Sequence, residues 1–159
     1  MNEIVNPRGM AQPVGFAYAV KCRGTLLFLA GATGQDASGN IHAPGDLVAQ
    51  FEAALANICQ VVKAAGGMPE DIVKLTYYVR DRDAYVAHRQ PIGEVYRRYF
   101  GKHYPAQSLF GVTALWEEDA LIEIEAIACI DDSGGLRPLG PPPEVSGNPL
   151  PQDTTVPGT

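Results

Sequence analysis

The sequence predicts an α+β domain in which a β-sheet carries two helices on one face. Two kinds of pattern indicate this class: short apolar runs, which are typical of strands, and longer runs with apolar residues every three or four positions, which are typical of helices. The predicted elements follow the order β-β-α-β-α-β-β along residues 18–130. A chain with this mixed order buries the apolar face of its sheet under the helices.

Two strands are predicted before the first helix. Residues 25–30 form a short apolar run that is closed by Gly31 and Gly34, which predicts a buried strand ending in a turn. Residues 18–22 precede this run across Arg23 and Gly24, and we predict that they form its hairpin partner. The segment 35–45 is rich in glycine, proline and short polar residues, so it is predicted to be a loop.

The clearest helix is predicted over residues 46–65. Asp46 is placed to cap its start, because a carboxylate accepts hydrogen bonds from the first unpaired amides of a helix. Gly66 and Gly67 are placed to end it, because glycine adopts the left-handed conformation at little cost. The apolar stripe of this helix consists of Leu47, Val48, Phe51, Leu55, Ile58, Cys59 and Val62.

The second half of the domain is predicted to contain three strands and a second helical region. Residues 72–79 predict a strand with Ile72 and Lys74 on one face and Val73 and Leu75 on the other. In residues 83–100 a proline, Pro91, interrupts the helical pattern, which predicts a turn followed by a helix. Residues 108–113 and 121–130 predict the last two strands.

Composition places a boundary near residue 130. The chain has 159 residues, and residues 131–159 hold seven of its 13 prolines and five of its 17 glycines. This share predicts a disordered tail, 131–159, after a domain of residues 1–130. The tail carries half of the formal net charge of −6. The acidic balance and the lack of a basic cluster argue against nucleic acid as a partner.

The sequence also predicts where the protein acts. It contains no apolar run long enough to span a membrane and no signal peptide at its start, so we expect a cytoplasmic protein without a membrane partner. Cys22, Cys59 and Cys129 are far apart and are expected to be reduced. The three histidines show no metal-ligand spacing, so no metal site is expected.

One pattern in the last strand bears on function. Glu123 and Glu125 lie two positions apart, so they share one strand face, opposite Ile122 and Ile124. A solvated strand face explains this pattern, and so does a carboxylate that orders water or moves a proton in a cleft. The residues alone leave the choice open.

Several stretches, taken together, resemble the reactive-intermediate deaminase (RidA/YjgF) family. They occur in the family's order and roughly its spacing across residues 14–130. They are Val14-Gly15, LAGATG, VAQFEAALANICQVVKAAGG, EDIVKLTYYVRD, EVYRRYF, YPAQS and IEIEAIA. The resemblance implies a chorismate-mutase-like fold with two helices on one face of the sheet, assembled as a homotrimer with ligand clefts between subunits.

The resemblance also implies an activity. The best-known members hydrolyse reactive enamines or imines to a keto acid and ammonia, without a cofactor or a metal. In those members a glutamate helps to position the attacking water, and Glu123 is the matching residue here. An arginine in a PARS-like motif binds the substrate carboxylate in those enzymes.

The chain departs from the family at the other substrate-binding positions. Gln107 replaces the arginine, and Leu109 replaces a cysteine two positions later. Ala30 replaces a serine before Gly31, whose backbone is expected to help hold the substrate.

Two further positions differ. The tyrosine that follows the early glycine in the family falls at Ala17, with Tyr18 adjacent. The asparagine that precedes the helix tyrosine by three positions falls at Gly93.

These replacements predict altered specificity. A neutral amide binds a carboxylate less strongly than a guanidinium does, and Leu109 and Ala30 make the cleft less polar. Together the three residues predict a ligand that is less acidic and bulkier or more apolar, with Gln107 contacting an amide, carbonyl or hydroxyl. The sequence therefore predicts a RidA-like enzyme that hydrolyses or tautomerises an enamine or imine outside the usual 2-imino acids. The alternative is a non-catalytic trimer that binds a small metabolite or acts as a partner protein.

Overall fold

The computed structural model describes residues 2–131, so all but Asp131 of the predicted tail lies outside the described residues. The α+β class is confirmed, with α1 and α3 packed against each other over the sheet. The elements, in chain order, are β1 (Glu3–Val5), β2 (Ala19–Lys21), β3 (Thr25–Phe28), α1 (Leu47–Ala64), a 3-10 turn (Pro69–Asp71), β4 (Ile72–Val79), α2 (Arg82–Ala87), α3 (Arg89–Phe100), β5 (Ala106–Gly111) and β6 (Ile122–Ile130).

The main sheet has four strands in the order β3-β6-β4-β5, of which β4 and β5 are parallel and the other neighbours antiparallel. The predicted hairpin between residues 18–22 and 25–30 is wrong, because β2 pairs with β1 in a separate ladder. Gly24 gives a physical reason. A Cβ at this residue would lie 2.1 Å from the carbonyl oxygen of Ile130, so the chain packs against the end of β6 there.

The first helix begins and ends where the sequence predicts. Asp46 Oδ1 accepts a 3.0 Å hydrogen bond from the amide of Ala49, which satisfies one of the unpaired N–H groups of the first turn. Gly66 follows the helix with φ +83°, the left-handed conformation expected at this position.

The second helical region differs from the prediction in where it breaks. It forms two helices, α2 and α3, and they meet at His88 rather than at Pro91. Pro91 is the third residue of α3, where its missing N–H has no intrahelical partner to lose. Pro91 therefore does not interrupt the hydrogen bonds of α3.

The core lies between the helices and one face of the sheet. Leu75, Tyr77 and Val79 of β4 point into it, as the alternation predicts. Ile72 is also in the core, so its predicted position on the other face is wrong. The pairing of β4 with β6 shifts register between Ile72 and Lys74, and this bulge turns Ile72 towards the helices.

We call the opposite side of the sheet the open face. It carries Glu123, Glu125 and Tyr78, and also several exposed apolar side chains. Leu26 is 50% exposed, Phe110 52% and Phe28 71%.

No helix within residues 2–131 is long and apolar enough to cross a membrane. The three cysteines form no disulfide. Cys59 packs at the edge of the core, and burial raises the pKa of its thiol to about 11.

Candidate functional site

Glu123 lies on the open face against a bulge in the chain that follows β3. The amide of Leu29 donates to the carbonyl of Ala126, and the amide of Ala32 donates to the carbonyl of Ile124. Between these two hydrogen bonds the segment advances three residues and β6 advances two, so the chain bulges at Ala30 and Gly31. A Cβ on Gly31 would lie 1.8 Å from Glu123 Oε1, so the carboxylate packs directly on the glycine backbone. Within residues 2–131, the amides of Ala30 and Gly31 donate no hydrogen bond. Both amides are thus available to a ligand beside Glu123.

The electrostatic surroundings of Glu123 favour its protonated form. Burial raises the pKa of the Glu123 carboxyl above its ordinary value, and the nearby carboxylates of Glu117 and Glu125 raise it further. Glu117 is held in place by Gln35, whose side-chain amide donates to it. A carboxyl of this kind accepts and returns a proton closer to neutral pH than a solvated one does.

Glu125 shares the open face with Glu123, as the sequence predicts, but its environment differs. Its carboxylate is exposed and accepts a 2.8 Å hydrogen bond from the hydroxyl of Tyr78. Only Glu123 of this pair is half-buried and in contact with the bulge. We call Glu123, Ala30 and Gly31 the glutamate half-site.

On the other side of the sheet, α3 and β5 border a cavity of about 630 Å³. This volume is within the range of small-molecule binding sites. Gln107 Nε2 donates a 3.2 Å hydrogen bond to the hydroxyl of Tyr96, which donates a 2.8 Å bond to the carbonyl of His103. Leu109 and Gly93 line the same cavity. We call Gln107, Leu109 and Gly93 the cavity half-site.

Two further residues of the cavity were not predicted from the sequence. Arg89 and Arg97, both on α3, line it together with Gly93. The spacing of four residues between each arginine and the glycine places all three on one side of the helix. This spacing is the only signal in the sequence that could have indicated them.

Tyr18 belongs to neither half-site. Its hydroxyl donates a 2.9 Å hydrogen bond to the carbonyl of Ala11, and its ring makes an edge contact with Phe16 at 5.4 Å. Phe16, rather than Tyr18, lines the cavity. The structure therefore places Tyr18 next to a residue of the cavity lining but not in the lining itself.

The two half-sites of one chain lie on opposite faces of the sheet. Glu123 is in register with Tyr78 on the open face. Gln107 is in register with Leu75, which is completely buried under the helices. The two half-sites of the same chain therefore face away from each other across the sheet. No group of three or more histidine, cysteine, aspartate or glutamate side chains in residues 2–131 is placed to hold a metal ion.

The match to a known family covers both half-sites. Residues 10–130 match the family model described as Endoribonuclease L-PSP, the family to which the names RidA and YjgF also apply. The chain belongs to this family. The resemblance indicated by the sequence motifs is therefore confirmed, and the fold is that of the Rid proteins.

Relatives of this RidA/YjgF chain include named deaminases. A RutC family protein from Pyrococcus horikoshii is 35% identical over 129 residues, which cover 80% of this chain and 98% of that protein. The 2-iminobutanoate/2-iminopropanoate deaminase of Capra hircus is 33% identical over 102 residues, which cover 64% of this chain and 71% of that enzyme. A solved Rid family structure from Yersinia pestis, of unknown function, is 36% identical with a TM-score of 0.74, covering 81% of this chain and 98% of that one.

Proposed function

We propose that this RidA/YjgF chain hydrolyses an enamine or imine derived from a small metabolite, releasing ammonia and a carbonyl product. The observation that carries the proposal is the half-buried carboxylate of Glu123, packed against the free backbone amides of Ala30 and Gly31. The deaminases among the relatives support the same chemistry. The proposed reaction requires water and proton transfers only.

In the proposed reaction, Glu123 is the general base and then the general acid. It accepts a proton from water as the water oxygen bonds to the imine carbon. It then returns this proton to the nitrogen, which gives a carbinolamine. The hydroxyl proton of the carbinolamine next moves through Glu123 to the nitrogen, and the C–N bond breaks as ammonia leaves and the carbonyl forms. An enamine first takes a proton on carbon to become the imine. The raised pKa of Glu123 suits both directions of transfer, because it brings the carboxyl closer to neutral pH than a solvated glutamate.

We also propose that the glutamate half-site of one subunit completes the cavity half-site of a neighbour in a homotrimer. Two observations support this assembly. The half-sites of one chain face away from each other across the sheet. Large apolar side chains are exposed on the open face, and Trp116 in the loop after β5 is 93% exposed, as is typical of surfaces that a partner covers.

The experiment measures product release from imines generated in the assay by an amino acid oxidase acting on alanine, leucine or phenylalanine. We expect the protein to accelerate release of ammonia and keto acid from at least one of them. Glu123→Gln should abolish the acceleration, and Glu125→Gln, a matched change on the same strand face, should preserve most of it.

Two results would contradict the proposal. Equal rates for the wild type and Glu123→Gln would remove Glu123 from the mechanism. Binding of a metabolite that remains chemically unchanged, without acceleration for any imine, would instead support the non-catalytic alternative. The half-buried carboxylate of Glu123, with its raised pKa, favours the enzyme over that alternative.

A further inference from the structure

The cavity is also lined by two cations, Arg89 and Arg97, that form no ion pair within residues 2–131. Arg89, Gly93 and Arg97 follow one another at intervals of four residues along one face of α3. Nη1 of Arg97 lies 3.4 Å from the position that a Cβ would occupy on Gly93. The guanidinium therefore folds back by one helical turn, over the glycine and towards Arg89.

Within residues 2–131, no carboxylate compensates the positive charges of Arg89 and Arg97. Neither arginine forms an ion pair within residues 2–131, and no carboxylate lines the cavity. Arg98, the next residue along α3, is by contrast paired with Glu52 at 2.7 Å. Arg89 is also the first residue of α3, where the helix dipole disfavours a cation. Two unpaired cations in one cavity of an acidic protein indicate a site for an anion.

Aromatic side chains form a large part of the remaining cavity lining. Burial raises the pKa of Tyr85 to about 12 and that of Tyr77 well above its ordinary value, so these hydroxyls add no negative charge at neutral pH. The aromatic side chains that line the cavity are Phe16, Phe51, Tyr77, Tyr85, Tyr96 and Tyr104. Such a lining, in a cavity of about 630 Å³, suits a flat or bulky apolar group.

We infer that Arg89 and Arg97 bind the carboxylate of the ligand in place of the arginine that Gln107 replaces, and that the ligand carries an aromatic or bulky apolar side chain. Gln107 supports this division of roles, since one of its N–H groups is already donated to Tyr96. The ligand is then bulky and apolar, as Gln107 and Leu109 predict, but it is not less acidic. This inference rests on the proposed function in treating the cavity as the substrate-binding half of the same site.

Binding of two stable probes tests the inference. Isothermal titration calorimetry compares 3-phenylpropanoate with its neutral analogue 3-phenylpropanamide at low salt. A charge-assisted hydrogen bond to guanidinium corresponds to roughly 10- to 100-fold in affinity, so we expect the carboxylate to bind at least 10-fold more tightly than the amide. Arg97→Gln and Arg89→Gln should each remove most of this difference and leave the affinity for the amide unchanged.

Arg98→Gln is the matched control, because it removes the same charge from the same helix outside the cavity. It should leave both affinities within about twofold of the wild type. If Arg97→Gln does not fold, Arg97→Lys retains the charge but loses the two-pronged geometry, and it should give an intermediate affinity for the carboxylate. Equal affinities for the two probes would overturn the inference, and so would tighter binding of uridine 5′-monophosphate than of 3-phenylpropanoate.

The inference and the proposed function fail in different ways. If carboxylate binding depends on Arg89 and Arg97 but the wild type hydrolyses no imine, the anion site is upheld and the proposed reaction is rejected. If hydrolysis of the phenylalanine-derived imine depends on Glu123 while its KM is unchanged in both arginine variants, the reaction is upheld and the anion site is rejected.

Discussion

A methyl group on residue 31 is expected to displace the Glu123 carboxylate while leaving the backbone intact. The Cβ of an alanine would lie 1.8 Å from Oε1, and Cβ contacts below 3.0 Å are essentially never found. The carboxylate must therefore move by at least about 1.2 Å. Gly31 does not have a left-handed φ, so alanine fits the backbone there. A misplacement of about 1 Å costs about 100-fold in rate, or about 2.7 kcal/mol of activation free energy.

The assay is kcat/KM for imine hydrolysis by Gly31→Ala, in the wild-type and in the Glu123→Ala background. We expect about a 100-fold loss in the first and no further loss in the second, because the carboxylate that the methyl group displaces is then absent. Gly111→Ala is the control, since its Cβ would meet only the Cβ of Arg82, at an ordinary 3.7 Å. Wild-type activity in Gly31→Ala, or an equal loss in both backgrounds, would show that the rate does not depend on the position of the Glu123 carboxylate against Gly31.

The charges around Glu123 and the glycine in α3 lead to three further expectations. Glu117→Gln removes a negative charge that raises the pKa of Glu123, so the acid limb of the kcat/KM profile should move to lower pH; a limb that does not move would contradict this cause. Because the pKa of Glu123 is raised on folding, its ionised form costs stability; the cost is complete above the raised pKa and disappears below the ordinary pKa of a glutamate. Glu123→Gln should therefore melt at a higher temperature than the wild type at pH 8, as measured by differential scanning fluorimetry, and the difference in melting temperature should vanish in acid. A difference that does not change with pH would show that it does not arise from ionisation of Glu123. Gly93→Ala should raise the free energy of unfolding in urea by about 0.5–1 kcal/mol, because glycine is unfavourable inside a helix and the new Cβ meets only the mobile end of Arg97; a loss of stability would show that the cavity requires the glycine.

Elements with strong local signals could be predicted from the sequence. The bounds of β4 match the prediction, and Asp46 and Gly66 mark the ends of α1, because alternation and capping depend on neighbouring residues only. The partner of β2 could not be predicted, because strand pairing depends on distant parts of the chain. The side of the sheet on which Ile72 lies could not be predicted either. The bulge between Ile72 and Lys74 depends on the pairing with β6, and one extra residue in a strand reverses which side chains face the core.

The candidate site was predictable in part. Resemblance to the family indicates Glu123 and Gly31, which lie far apart in the sequence and meet only because the segment after β3 pairs with β6. The resemblance also indicates Gln107. It does not indicate that Gln107 and Glu123 of one chain lie on opposite faces of the sheet. Arg89 and Arg97 could not be singled out, because arginines on a helix surface are normally solvated. Only the cavity beside α3 distinguishes them.

We propose that Glu123 of one subunit acts on a ligand held in the cavity of its neighbour, and co-expression of two inactive variants tests this claim. Glu123→Gln disables the glutamate half-site, and Gly93→Phe fills the cavity where the backbone of α3 leaves room. Trimers that contain both variants are isolated through two different affinity tags. One of the three interfaces in each such trimer then joins two intact half-sites, so we predict imine hydrolysis at about one third of the wild-type rate. Activity no greater than that of the separate variants would contradict the claim.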